Sequence, residues 1–429
     1  MEKFDVVVIG AGPAGSTASY LLAKEGLSVL QVERGATAGS KNVSGGLIYS
    51  KPIVDIFPEF WTKAPVERAI TNHQIVMLGK EASTSVDYYN EAAAQPPYNA
   101  FSVLRAHFDP WLAKQAEDAG AATITGVTVD ALKIENGRVI GIKAGPDEIL
   151  ADVVVIAEGT RSLLLQNAGL REEYHPHDVS LGVKEVIALP ENVIEDRFLC
   201  TSETGTAYTL VGSTLGMEGG GFIYTNKKSI SLGVVVKIDS LYKSKKQPHQ
   251  VLDEFKSHPA VSRLIRGGEV VEYSAQTVHR GGFHLVSKMY GNGYVVAGSA
   301  ARMLLNNVLT LRGMDYAIVS AAVAAKAILA AREKGVYDAA ALSVYEKLWQ
   351  QTALYQDWKT FKDAYPLLEN ERLFEMYPNL VCNLMEMLLS PSAQASPKVL
   401  KALLKEMNGK VSMFTLAKDV LEISKGIVL

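Results

Sequence analysis

Gly10-Ala11-Gly12-Pro13-Ala14-Gly15 is a G-x-G-x-x-G turn, and an acidic residue, Glu33, follows at the roughly 20-residue distance that a dinucleotide site uses for its ribose. The residue types suit that chemistry. Gly10 permits a tight turn, Gly12 lets a pyrophosphate approach the backbone, and Gly15 lets the following helix press on its strand. Free N–H groups at the helix start meet the phosphate charge. The Glu33 carboxylate accepts hydrogen bonds from a ribose hydroxyl. An ordinary βαβ turn is the rival reading, but strand, turn, helix, the small residues Ser19 and Gly26, and the acid stand in register here. A second stretch, Lys41-Asn42-Val43-Ser44-Gly45-Gly46, is too polar and glycine-rich for a core element. Its backbone can approach a flat ligand closely; a solvated turn is the alternative.

Other chemistry-bearing residues are sparse. The eight histidines show no zinc-ligand spacing, and His175 and His177 merely flank Pro176 in a polar loop. Cys200 and Cys382 are too few for a secreted disulfide framework or for the four thiolates of an iron–sulfur cluster. They read as buried small apolar residues in a reducing cytosol. No metal site is expected.

The elements that must position the turn follow from pattern. Phe4 to Ile9 reads as a buried strand, and Ser28 to Val32 as the next. Ile70 to Val86 is β-like, and Pro96-Pro97 marks a loop. After Ser102-Val103-Leu104-Arg105, apolar residues recur at helical spacing through Ala119, with Trp111 in the core. Ala122 to Gly126 and Val127 to Ile134 read as strands, and Asn136-Gly137 signals a hairpin into Val139 to Lys143. Ile149 to Ala157 is a second buried strand, ending in Glu158-Gly159. Val179 to about Tyr290 is mostly strand with glycine turns, forming an antiparallel sheet, with a helix around Pro248 to Ile265. Lys243 to Lys246 reads as a solvated loop. Gly293 to Ala301 again gives a buried strand ending in glycine, and a helix runs from about Thr310 to Ala331. The remainder is helical, broken by prolines. Its last stretch is amphipathic, with Leu416, Val420, Ile423 and Ile427 on one face. That face is expected to dock on the body; a membrane surface or a partner protein is the alternative.

Three separated segments, near residues 10, 158 and 298, thus return to one sheet. The fold class is α/β: a discontinuous Rossmann-like nucleotide-binding domain (residues 1–69, 99–178 and 291–338), an inserted antiparallel β-rich domain for substrate or partner (70–98 and 179–290), and a helical C-terminal region (339–429). The chain has 429 residues, 48% apolar and 21% charged, so it has ample core for two or three domains. A net charge of −3 gives no reason to propose nucleic acid. The N-terminal apolar run carries Glu2 and Asp5 where a signal peptide carries positive charge. No uninterrupted apolar stretch reaches about 18 residues, so no transmembrane helix is expected.

At this point the residues resemble a family. Gly10 to Gly15, Gly39-Ser-Lys-Asn-Val-Ser-Gly-Gly46, Val103 to Leu112, Gly182-Val-Lys-Glu-Val186, Gly219 to Asn226, Glu272-Tyr-Ser-Ala275 and Arg312-Gly-Met-Asp315 together look like a FixC-type flavoprotein, related to the electron-transfer flavoprotein:quinone oxidoreductases. The resemblance spans nearly the whole chain. It implies FAD as the dinucleotide. Gly10, Gly12 and Gly15, with Pro13 and Ala14, would hold the pyrophosphate, and Glu33 the ribose. Arg105 would sit near the pyrophosphate and ribityl chain, and Lys41, Asn42, Val43, Ser44 and Gly45 would line the isoalloxazine. Gly298 and Ser299 occupy a position that contacts ribityl and phosphate. Arg312, Gly313 and Met314 would present a helix N-terminus to the pyrimidine end of the ring, where reduction places negative charge. Arg34, Val127 and Gly159 complete the expected cofactor set.

Departures accompany the match. Ser299 stands where the family usually has Asp, and the loss of a charge-assisted bond costs about 1–3 kcal/mol. His279-Arg280-Gly281-Gly282 replaces Pro-Glu-Gly-Gly, and Arg302 to Val308 is unusual beside a flavin. The resemblance implies an FAD oxidoreductase without acid–base catalytic residues. It would take electrons from a two-subunit electron-transfer flavoprotein and pass them to a separate ferredoxin-like iron–sulfur protein or to quinone. The expected place is the cytoplasm, with peripheral contact at the inner face of the cell membrane. Rival readings are a flavin-dependent reductase or monooxygenase of a small or prenyl substrate, and a scaffold subunit with depleted flavin.

Overall fold

Valines and isoleucines fill Val6 to Ile9, Val153 to Ile156 and Tyr294 to Val296, and all three runs are buried. Continuous apolar runs of this kind belong to parallel strands covered on both faces. The computed structural model describes residues 2–40, 45–173, 175–390 and 398–427. Lys41, Asn42, Val43 and Ser44 therefore lie outside the described residues. In the first sheet, Ala122–Thr125, Val29–Glu33, Lys3–Ile9, Asp147–Ile156 and Tyr294–Val296 lie side by side in that order, all parallel. Val8 pairs with Val155, and Val155 with Val295, so the three glycine-terminated strands end together. A meander, Ala131–Glu135 and Arg138–Ala144, leads antiparallel into Asp147–Ile156. Its turn, Asn136-Gly137, has positive φ at both residues, as a type I′ hairpin requires. The strand expected from Val127 begins at Ala131; Val127 and its neighbours turn aside to face the nucleotide cleft.

The helix Pro13–Lys24 packs against Met314–Glu333 and Arg105–Asp118. Met314–Glu333 is long and apolar enough to cross a membrane by length and composition, yet most of it is buried within the protein. Its alanines permit close approach: a Cβ at Gly298 would stand 3.0 Å from Ala14 Cβ and 3.3 Å from Ala317 Cβ.

The second sheet runs Glu269–His279, Val179–Ala188, Ser229–Lys237, Gly219–Thr225, Thr204–Val211, Val66–Leu78, Ala100–Leu104, Gly45–Tyr49. Ser83–Tyr89 pairs with Val66–Leu78. It is antiparallel except where Thr204–Val211 meets Val66–Leu78 in parallel. Gly45–Tyr49 and Ala100–Leu104, which the sequence reading kept with the nucleotide segments, pair into this sheet through residues such as Leu47 and Ser102. The helix expected over Pro248 to Ile265 divides into Pro248–Ser257 and Pro259–Ile265. His258 precedes a proline, which disfavours helical backbone there. These helices bury Val251, Phe255 and Val261 against Val183, Leu232 and Val234.

The C-terminal region is helical. Met413–Ile427 lies on residues 362–369, so close that a Cβ at Gly426 would stand 2.7 Å from Leu367. Its inward side carries buried Asp419, paired with Arg372 at 2.6 Å. Leu416 and Ile423 are half-buried, but Val420 turns outward, departing from the expected single face.

Candidate active site

A cavity of about 530 Å³ runs between the carboxyl ends of the first sheet and one face of the second. This is an ordinary size for a cofactor or substrate site. At one end is the glycine turn. Gly10 has φ +100°, and a Cβ there would lie 2.5 Å from Ala157 O. Gly12 caps the helix Pro13–Lys24 without any side-chain capping bond, and no acidic residue occupies the first turn. The Arg105 guanidinium lies beside it, 3.6 Å from where a Gly12 Cβ would be. Asp109 anchors that guanidinium through Nε at 2.7 Å. An uncapped helix start beside a fixed cation is a cradle for a pyrophosphate. Glu33 is oriented by the Ala11 and Gly35 N–H groups, which donate to its two oxygens at 2.8 and 2.7 Å. Each oxygen keeps a lone pair for a ribose hydroxyl. These residues fit the pyrophosphate and ribose of FAD.

At the other end the slot narrows between Gly46 and Met314, whose Cε is 3.3 Å from a Cβ built at Gly46. Leu311, Gly313, Met314 and Ala317 bring the start of the long helix to the wall. The second sheet supplies the opposite wall: Gly182, Val183, Lys184, Phe222, Tyr224, Val235 and Gln276 to Val278. Phe222 and Tyr224 stack 5.1 Å apart. Burial raises the Tyr224 hydroxyl pKa, so it stays protonated.

Most of the residues singled out in the sequence meet here. Gly10, Gly12, Pro13, Ala14, Glu33, Arg34, Arg105, Val127, Gly159, Ser299, Gly313 and Met314 line the cavity. Four stand off it. Gly15 serves packing, since a Cβ would lie 1.8 Å from Gly10 O. Gly298 is held between Ala14 and Ala317, and Gly45 begins the strand whose next residue, Gly46, lines the wall. Arg312 turns away: it bonds Asp315 at 2.6 Å and Asp357 at 2.8 Å and lies over the rings of Tyr49 and Tyr316. It pins the helix start, and its backbone neighbours do the lining.

Ser299 offers a neutral side chain where a carboxylate was expected. Its carbonyl accepts a hydrogen bond from His279 Nε2 at 3.1 Å. Burial, then the charges of Arg302 and Arg171, push the His279 imidazole down to about 3, so it is neutral. Lys184, Phe222, Tyr224, Gln276, Glu158 and Arg161 were assigned no role from sequence. For Lys184 a signal existed: a lysine inside a strand that is mostly apolar. A larger cavity, about 920 Å³, opens between the 248–265 helices and the C-terminal region, away from the glycine turns.

Comparison with known proteins gives this geometry a family. A model described as FAD binding domain matches residues 3–213, and one described as ETF-QO, ubiquinone-binding, matches 179–278. The ETF-QO/FixC family C-terminal domain matches 364–427. The chain is 41% identical to the probable electron transfer flavoprotein-quinone oxidoreductase YdiS of Escherichia coli K12, over 97% of both chains. It is 40% identical to Protein FixC of the same strain, again over 97% of both. The chain belongs to the ETF-QO/FixC family. FixC of Bradyrhizobium diazoefficiens is 38% identical over 93% of each chain. As an ETF-QO/FixC protein it is an FAD-dependent oxidoreductase, and its second sheet contains the quinone-binding domain of that family. The ubiquinone-binding match contains the wall residues from Gly182 to Val278, and Gly46 of the same sheet lies outside it. A geranylgeranyl bacteriochlorophyll reductase-like protein of Thermoplasma acidophilum shares the fold, with a TM-score of 0.73 at 21% identity over 99% of this chain and 100% of that one. A myxobacterial chondrochloren halogenase does so with a TM-score of 0.66 at 18% identity, over 96% and 98%.

Proposed function

We propose that this protein takes electrons from a two-subunit electron-transfer flavoprotein and gives them to quinone, or to a ferredoxin-like iron–sulfur protein in its stead. The observation that carries the reading is the shared cavity. The phosphate cradle and helix start of the FAD half face the quinone-binding strands across one space. Bound FAD supplies a ring that exchanges electrons singly or in pairs. The chain's residues bind it, hold the Met314 helix start at its ring, and leave an aromatic wall, Phe222 and Tyr224, for an acceptor. The name of YdiS, a probable electron transfer flavoprotein-quinone oxidoreductase, supports the choice of donor and acceptor.

The same reading places the protein in the cytoplasm with contact at the inner membrane face, where quinones reside. Helices Met376–Leu389, Val399–Met407 and Met413–Ile427 expose Leu389, Leu400 and Phe414, and residues 398–427 carry six lysines against three acids. Apolar side chains among lysines suit an anionic lipid surface.

The test is optical. The purified protein should show oxidised-flavin absorbance that bleaches on adding reduced electron-transfer flavoprotein and returns with a ubiquinone analogue. Bleaching by a nicotinamide instead, with a spectral response to an isoprenoid or aromatic compound, would overturn it in favour of a substrate reductase or monooxygenase.

A further inference from the structure

Lys184 is the observation that the proposed electron path leaves unused. It sits in Val179–Ala188, a strand paired on both sides, opposite Gly233 and Ser274. The residue is 2% exposed and lines the cavity. An ammonium in such a place is costly unless paired. Its ion-pair partner is Glu272 on the neighbouring strand, at 3.3 Å, whose side chain is 40% exposed. One group thus faces the cavity and the other meets water. Glycines at 182 and 233 keep the surrounding wall low. A Cβ at Gly233 would stand 2.7 Å from the Phe222 ring, so its absence lets that ring lie beside the lysine's strand.

Burial and two charged groups govern this lysine. Burial lowers its pKa, Glu272 opposes that, and Arg105, from the helix Arg105–Asp118, adds to the lowering. The facing strand Ser229–Lys237 offers Gly233 and no titratable group at that pair. Arginine cannot exchange its proton at these pH values, whereas a buried lysine can.

We propose that Lys184 donates a proton to the quinone as it is reduced in this cavity, and that Glu272 passes a proton from solvent back to Lys184. The proposal rests on the quinone reading above. The balance is complete. The quinone gains two electrons and one proton from the anionic reduced flavin and its second proton from the Lys184 ammonium, giving quinol, oxidised flavin and a neutral amine. The amine then regains a proton through Glu272.

The experiment uses the FAD-loaded full chain, a soluble ubiquinone analogue and a pH-indicator dye. Flavin reoxidation and proton uptake are followed together after mixing. In the wild type the two should run in step. Lys184→Ala and Lys184→Arg should keep their flavin absorbance but reoxidise roughly 10²-fold or more slowly with quinone. Ethylamine should partly rescue Lys184→Ala, whereas Lys184→Arg, with charge but no transferable proton, should stay slow. Glu272→Gln should delay proton uptake behind reoxidation. Wild-type rates in both lysine variants, or no amine rescue, would overturn the role of Lys184 while leaving the quinone reading intact. A wild type that ignores quinone yet bleaches with reduced electron-transfer flavoprotein would remove quinone as acceptor, and the proposal with it. If Lys184→Ala does not fold, Lys184→Arg and Glu272→Gln decide alone.

Discussion

Ser299 and His279, both read from the sequence as departures from the family pattern, form a contact. Ser299 reaches the cavity wall, and its carbonyl is held by a buried, neutral imidazole. Arg171 and Arg302 lie close enough to depress that imidazole. A carboxylate at 299 would enter a locally cationic corner. Ser299→Asp is therefore expected to tighten FAD by roughly 5- to 150-fold, the equivalent of one charge-assisted bond; flavin fluorescence titration of the apoprotein measures it. The histidine makes a separate prediction. Its folded value, about 3, lies below the ordinary value. Between there and about 6.5 the unfolded chain binds a proton that the folded chain refuses. Stability contributed by His279 is present above that window and is lost as pH falls through it. His279→Gln, whose amide can still donate to the Ser299 carbonyl, should show a smaller drop in Tm between about pH 7 and about pH 4.5 than the wild type.

At the scale of elements, the start of the long helix is held by unequal ties. Asp315 is 1% exposed, while Asp357 is 44% exposed at the side chain. Arg312→Leu strands the Asp315 carboxylate in the interior and should cost about 3–5 kcal/mol. Asp357→Asn removes a surface partner and should cost about 0–1 kcal/mol. Urea unfolding of the two variants separates them, and the first should also release FAD. Arg312 shows what a motif conceals. Arg-Gly-Met-Asp marked the right helix start, but the arginine's partners Tyr49 and Asp357 come from distant segments, so its outward role was invisible. The first sheet was legible because buried parallel strands read as unbroken apolar runs, and the glycine turn declares its own φ. The second wall was not. Lys184, Phe222, Val235 and Gln276 come from four strands, and no spacing along the chain joins them; the pairing of Lys184 with Gly233 and Ser274 does. Lys184 and its neighbour Glu185 put charge into a mostly apolar strand, and the sequence does not say which of the two faces the cavity.

For the whole molecule, the proposed quinone acceptor presents a problem of access, because its natural form is dissolved in lipid. Among the described residues the one helix of membrane length, Met314–Glu333, lies inside, against Pro13–Lys24. The proposed membrane contact would use the surface, where the C-terminal helices expose apolar residues. Phe414 is 82% exposed and Leu421 51%, on a helix fixed to the body through Asp419 and Arg372. A docked helix with an apolar outer side binds weakly by itself. Residues 398–427 are net basic, six lysines against three acids, and each lysine that meets an anionic surface adds about 1 kcal/mol. The expected outcome is flotation with phosphatidylserine-containing vesicles at low salt, less at high salt, and none with neutral vesicles. Phe414→Glu combined with Leu421→Glu should abolish flotation while leaving flavin absorbance and Tm in place, since neither side chain is in the core. Equal flotation of that variant would place membrane contact elsewhere on the molecule, whereas retained flavin with lost flotation would tie quinone access to this surface.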